Sequence, residues 1–187
     1  MEKKYELTDI KIEVFGKTLF RIRALRDIEK FEIKKGDLGG YIEKEENLSQ
    51  DGNAWVYGDA WVSGNAWVSG NAKVYGNAWV SGDAGVSGNA WVYGNAWVYG
   101  NAKVYGDARV YGNAGIMWLS RLGSRLGTTT AFRRKDGNIG IKCGCFEGSL
   151  DEFAAEVAKT HGDNKYGREY KAAIKLIKIH FEEENKQ

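Results

Sequence analysis

The stretch Gly52-Asn53-Ala54-Trp55-Val56-Tyr57 opens a run of eleven hexads that closes with Gly112-Asn113-Ala114-Gly115-Ile116-Met117, and this run decides the fold. Each unit reads Gly, Asn or Asp, Ala, a variable residue, Val, then Tyr or Ser, with Ile116-Met117 the departure at the end. Self-similarity at a fixed short period marks a solenoid. Ala and Val lie two apart, so on an extended strand both point inward while the residues flanking Val point outward. Gly followed by Asn or Asp makes the corner, because these residues tolerate the positive φ of a sharp bend.

The repeat resembles the hexapeptide-repeat family. That resemblance implies a left-handed parallel β-helix of triangular cross-section with three hexads per coil, a handedness that departs from the usual crossover rule. Stacking every eighteenth residue predicts three outer faces, with coils about 4.8 Å apart. One face carries Trp61, Trp79, Trp97 and Gly115. A second carries Trp55, Lys73, Trp91 and Arg109, flanked by the column Tyr57, Tyr75, Tyr93 and Tyr111, a geometry suited to cation–π stacking. The third carries Trp67, Gly85 and Lys103.

Contiguous exposed indoles mark a surface that something covers. Family members commonly form trimers with parallel axes, so the resemblance makes Trp61, Trp79 and Trp97 the expected interface of a homotrimer. A platform for stacking sugars or bases is the alternative use of the same rings.

Residues 1–51 break the period and read as an N-terminal cap with an irregular first coil. Ile10, Ile12 and Val14 alternate, Phe15-Gly16-Lys17 offers a turn, and Phe20, Ile22 and Ala24 alternate again, which predicts two short strands. In the first coil Leu38 falls in the phase of the Val column, and Ile42 and Leu48 in that of the Ala column. Residues 52–117 form the solenoid. Residues 118–187 read as a small α+β unit of two strands, Thr128 to Arg134 and Ile139 to Cys145, and two helices. Ser149 and Glu152 form a capping box for the first helix, which Gly162 ends. The second helix carries Tyr166, Tyr170, Ile174, Ile177 and Phe181 at helical spacing. The predicted fold class is therefore mainly β: a left-handed parallel β-helix solenoid, a β cap and a C-terminal α+β domain of marginal size, expected to pack on the β-helix or on a neighbouring subunit.

Composition narrows the function. The 187 residues include 25 Gly and no Pro, which excludes collagen, and 7 Trp with 10 Tyr argue against wholesale disorder. Net charge is only +2. The start Met1-Glu2-Lys3-Lys4 lacks a signal-peptide core and no apolar run would span a bilayer, so a cytoplasmic protein is expected. Cys143 and Cys145 are one residue apart, which is neither a disulfide framework nor a zinc constellation. No metal or cofactor is expected.

Charge is concentrated in residues 118–142, where six basic side chains meet the single acid Asp136. Ser124, Arg125, Thr128, Thr129, Thr130, Arg133 and Arg134 offer hydroxyls and guanidinium groups for phosphate oxygens. Phe146 or Tyr170 would flank a base, with Tyr166 and His161 nearby. No P-loop is present. His161 and His180 both follow the repeats, and no loop interrupts the hexads to close over an acyl donor, so no catalytic residue is assigned.

Nearly the whole chain is similar to phage and prophage hexapeptide-repeat proteins, through Gly36-Asp37-Leu38-Gly39-Gly40-Tyr41-Ile42, Gly123-Ser124-Arg125 and His161-Gly162-Asp163-Asn164. Residues and resemblance together lead to a non-enzymatic oligomeric protein that sequesters a small anionic, nucleotide-like ligand, with a host immune signal such as a cyclic nucleotide or ADP-ribose derivative as the analogy from phage sponge proteins. No sequence-specific nucleic-acid binding is expected. The alternatives are an assembly scaffold docking a protein partner, and a transferase or phosphodiesterase using His161 as base.

Overall fold

The computed structural model describes residues 3–112 and 115–182. The chain opens with an antiparallel hairpin of β1 (Tyr5–Val14) and β2 (Lys17–Ala24), followed by β3 (Leu38–Ile42). Short strands then recur every six residues: β4 (Trp55–Val56), β5 (Trp61–Val62), β6 (Trp67–Val68), β7 (Lys73–Val74), β8 (Trp79–Val80), β9 (Gly85–Val86), β10 (Trp91–Tyr93), β11 (Trp97–Val98), β12 (Lys103–Val104) and β13 (Arg109–Tyr111).

Each strand pairs in parallel with the strand three ahead, which builds the three sides of a β-solenoid. Trp61 aligns with Trp79 and Trp79 with Trp97. Trp55 aligns with Lys73, then Trp91 and Arg109, and Trp67 with Gly85 and Lys103. The eighteen-residue stacking thus holds on all three faces. Inside, the Ala column from Ala54 to Ala108 and the Val column from Val56 to Val110 are buried. Each valine so buried contributes about 1.5 kcal/mol or more. At the corners Asn53 Nδ2 donates to Asn71 Oδ1 at 2.8 Å, Asn71 to Asn89 at 3.1 Å and Asn89 to Asp107 at 3.2 Å.

The first coil departs from its expected phase. Ile42 pairs with Val62 and Leu48 bridges to Val68, each twenty residues ahead rather than eighteen. Both therefore occupy the Val column, and Leu38 is exposed instead of core. The regular spacing resumes where Gly52 stacks on Gly70, so the corner of residues 49–52 holds two extra residues. Within that corner Gln50 docks β1 onto the coil, because its Oε1 accepts from the Lys4 amide at 2.8 Å and its Nε2 donates to Tyr5 O at 3.2 Å. Asn47 Nδ2 donates to Ala66 O at 2.7 Å, joining the coils where the strand pattern is broken.

Among the described residues the C-terminal unit has four strands rather than two. They are β14 (Ile116–Leu122), β15 (Gly127–Arg133), β16 (Ile139–Cys143) and β17 (Phe146–Ser149), in one antiparallel sheet in chain order. β14 was hidden because Ile116-Met117 completes a hexad; Asn113 and Ala114 of that hexad lie outside the described residues. Helices α1 (Leu150–His161) and α2 (Lys165–Phe181) follow. Ser149 Oγ accepts from the Glu152 amide and Glu152 from the Ser149 amide, the capping box read from the sequence. Period-two alternation splits β15. Phe132 and Ile116 join the solenoid core, and Lys103 N donates to Thr130 Oγ1 at 3.1 Å. Ala131 and Ile141 instead pack beneath Leu150, Phe153, Val157, Ile174, Ile177 and Phe181. The sheet is thus a lid on the last coil of its own chain, with the helices behind it.

No helix among the described residues is long and apolar enough to cross a membrane.

Candidate functional site

The β15–β16 turn, residues 134–138, reaches from the capping sheet toward the last coil. It is anchored there by an antiparallel bridge between Ala108 and Arg134. Asp136 Oδ1 accepts from the Asn138 amide at 3.0 Å, and Gly137, at φ +84°, takes the backbone conformation that closes the turn. These bonds to Asn138, with Arg134 nearby, hold the Asp136 carboxyl below its usual range.

Between this turn and the solenoid lies an open cleft of about 610 Å³. Among the described residues Arg109, Arg133, Arg134 and Lys135 line it, with His180 and the carboxylate of Glu182, and the aromatic wall is Trp91, Tyr93 and Tyr111. Two of the guanidinium groups are already committed. Arg109 stacks over Trp91 at 4.2 Å and donates to Asn89 O and Ala108 O. Arg133 donates to Phe181 O at 2.6 Å and Gly137 O at 3.2 Å. Among the described residues Lys135, and Arg134 with the Asp136 and Glu152 carboxylates near it, carry the cleft's remaining positive charge. Charge-assisted hydrogen bonds from such groups to phosphate oxygens are roughly twice as strong as neutral ones.

A second crevice, of about 550 Å³, lies on the other side of the same turn, and Arg134 and Lys135 line it too. Its remaining charged residues are acidic, Asp107, Asp136 and Glu147, so it is the poorer place for an anion.

The other residues expected to bind a ligand are spread across the sheet. Thr129 and Thr130 are each 1% exposed and face opposite sides: Thr129 Oγ1 donates to Cys143 Sγ, while Thr130 Oγ1 holds the solenoid. Thr128 Oγ1 pairs with Ser120 Oγ at 3.1 Å. Ser124 and Arg125 are exposed at the β14–β15 turn, at the far end of β15 from Arg133. That turn is tied to α2, where Glu169 Oε2 accepts from the Gly123 amide at 2.8 Å. Tyr170 packs against Gly123, with its Oη 3.8 Å from Cys143 Sγ, and burial followed by the nearby thiol pushes its hydroxyl up to about 12. His161 stacks on Tyr170 at 5.7 Å and meets Tyr166 edge-on at 6.1 Å. Phe146 packs on Phe153 beneath the helices. Of the expected residues, then, only Arg133 and Arg134 reach the cleft.

Sequence reasoning did not assign Arg109, Lys135, Tyr93, Tyr111, His180 or Glu182 to a site. Arg109 and Tyr111 belong to columns that coil counting had already aligned. The signal was their place in the last coil, next to whatever folds over its end.

Trp61 and Trp79 stack at 4.1 Å and Trp79 meets Trp97 at 4.9 Å. Part of this face is covered within the chain, because Phe15 at the β1–β2 turn lies flat on Trp79 at 5.1 Å. Trp97 retains 47% exposure.

A sequence profile for the YdcK beta solenoid repeat matches residues 66–82, 84–100 and 102–116, each stretch about one coil of this solenoid. The three together span less than half of the chain and place its repeats among β-solenoids. No curated protein matches the chain.

Proposed function

We propose that this protein is a non-catalytic β-solenoid binder of the hexapeptide class that holds a small phosphorylated ligand in the cleft between its last coil and its capping sheet. The observation that carries the reading is the lining: among the described residues four cationic side chains and the Glu182 carboxylate, beside an aromatic wall. The solenoid and sheet frame the cleft, and the turn brings Arg134 and Lys135 to the ligand. A ligand held without turnover fits sequestration of a nucleotide-like signal, the use a phage-encoded chain would have for it.

The test is charge reversal. The double variant Arg134→Glu/Lys135→Glu is expected to lower affinity for phosphorylated probes by about tenfold or more, while the unfolding midpoint stays near that of the parent. Unchanged affinity would remove the cleft as the site. A second reading, an assembly scaffold, rests on Trp97 and Phe15, which stay exposed on one face. On that reading Trp97→Ala changes the oligomeric state, expected to be a trimer, in sedimentation, and probes do not bind.

A further inference from the structure

The tyrosine column ends inside the cleft. Tyr57 and Tyr75 meet edge-on, Tyr75 and Tyr93 lie parallel at 4.9 Å and 5°, and Tyr93 and Tyr111 follow at 5.1 Å and 44°. From Tyr75 onward ring spacing thus follows coil spacing, because parallel strands stand about 4.8 Å apart, whereas Tyr57 and Tyr75 are 6.5 Å apart. The next rung would belong to Thr129, eighteen residues after Tyr111, but that residue has left the solenoid for β15.

Tyr111 is therefore the last ring, seated on the backbone of Gly94, where an added Cβ would lie 2.7 Å from its Cε2. It is 66% exposed. The other rings of the wall are taken. Arg109 lies over Trp91, and Tyr93 is stacked on Tyr75 on one side and meets Tyr111 at a tilt on the other. An open aromatic face thus stands in the same cleft as Arg134 and Lys135.

We infer that the ligand is a nucleotide whose base stacks on Tyr111 as the next rung of the tyrosine column while its phosphates meet Arg134 and Lys135. This rests on the anion-binding reading above and adds to it the chemical class of the ligand. A ring-free phosphate satisfies the cations alone, whereas a base also covers the exposed ring, and stacking of this kind tolerates any base.

Two probes of matched phosphate content separate the two contributions: adenosine 5′-diphosphate and inorganic pyrophosphate, titrated calorimetrically against the full chain, Tyr111→Ala and Tyr111→Phe. The parent is expected to bind the nucleotide about tenfold tighter than pyrophosphate. Tyr111→Ala should erase that preference and keep pyrophosphate binding, and Tyr111→Phe, which keeps the ring, should retain it. Equal affinity of the parent for both probes, or a preference that survives Tyr111→Ala, overturns the inference and leaves the anion cleft standing. Binding of neither probe overturns both.

Discussion

Lys4 has no exposed surface, and its Nζ donates to Ala54 O at 2.9 Å. Burial, followed by the charge of Arg26, lowers its pKa to about 8, with Asp51 acting in the opposite sense. An unfolded lysine titrates near 10.4. Between those values the unfolded chain holds a proton that the folded chain has released, so stability rises with pH. The window closes near pH 10, because burial raises the Tyr5 hydroxyl pKa, and that group then favours unfolding as pH climbs further. Urea denaturation of the parent and Lys4→Met at pH 7 and pH 10 checks this. The parent should gain about 2 kcal/mol relative to the variant across the interval, because each tenfold difference in proton affinity between the folded and unfolded chain is worth about 1.4 kcal/mol. Parallel pH profiles would show that Lys4 is not held in this way.

At the scale of the element, the corner glycines separate two costs. Gly58 and Gly82 both have positive φ, at +56° and +68°. A Cβ at Gly58 would meet nothing within 4 Å, whereas one at Gly82 would lie 2.9 Å from the amide of Gly100 in the next coil. Gly58→Ala should therefore lose about 1 kcal/mol for its backbone conformation alone. Gly82→Ala should lose more, because two coils must also move apart. Chemical denaturation of the pair checks the order, and equal losses would mean that the stack gives way freely.

These elements also show where sequence reading succeeds. A six-residue period makes every inward and outward position redundant, so the three faces could be aligned before any coordinates. The first coil is not redundant. Nothing in Ser49-Gln50-Asp51 announces two added residues, and the resulting phase shift moved Ile42 and Leu48 to the other inward column. The capping box at Ser149 was legible because it is local. The cleft was not, because it needs Arg109 and Tyr111 from one element and Arg134 and Lys135 from another. β15 hid its meaning for a different reason: alternation sends Thr129 and Thr130 to opposite faces, so neighbours in a basic, hydroxyl-rich run do not share a site.

On the scale of the whole molecule, a solenoid needs both open ends closed, because each exposes apolar core and unpaired strand edges. The hairpin closes one end and the C-terminal sheet the other, where Phe132 is 1% exposed and packs into the column core. Phe132→Ala should cost about 3–5 kcal/mol and loosen the lid. Because the lid forms one wall of the cleft, the same variant should weaken nucleotide binding without touching a ligand-facing charge, which thermal unfolding and probe titration would record together. Unaltered binding at reduced stability would separate the cleft from the lid. The most direct measurement is native mass spectrometry of the purified protein, followed by denaturation and identification of what is released, with nucleotides then added back. A nucleotide is expected to be released unchanged, at a fixed number per chain, and to be lost in Arg134→Glu/Lys135→Glu. A protein that holds no nucleotide and takes up none, or that returns it chemically altered, would contradict the account.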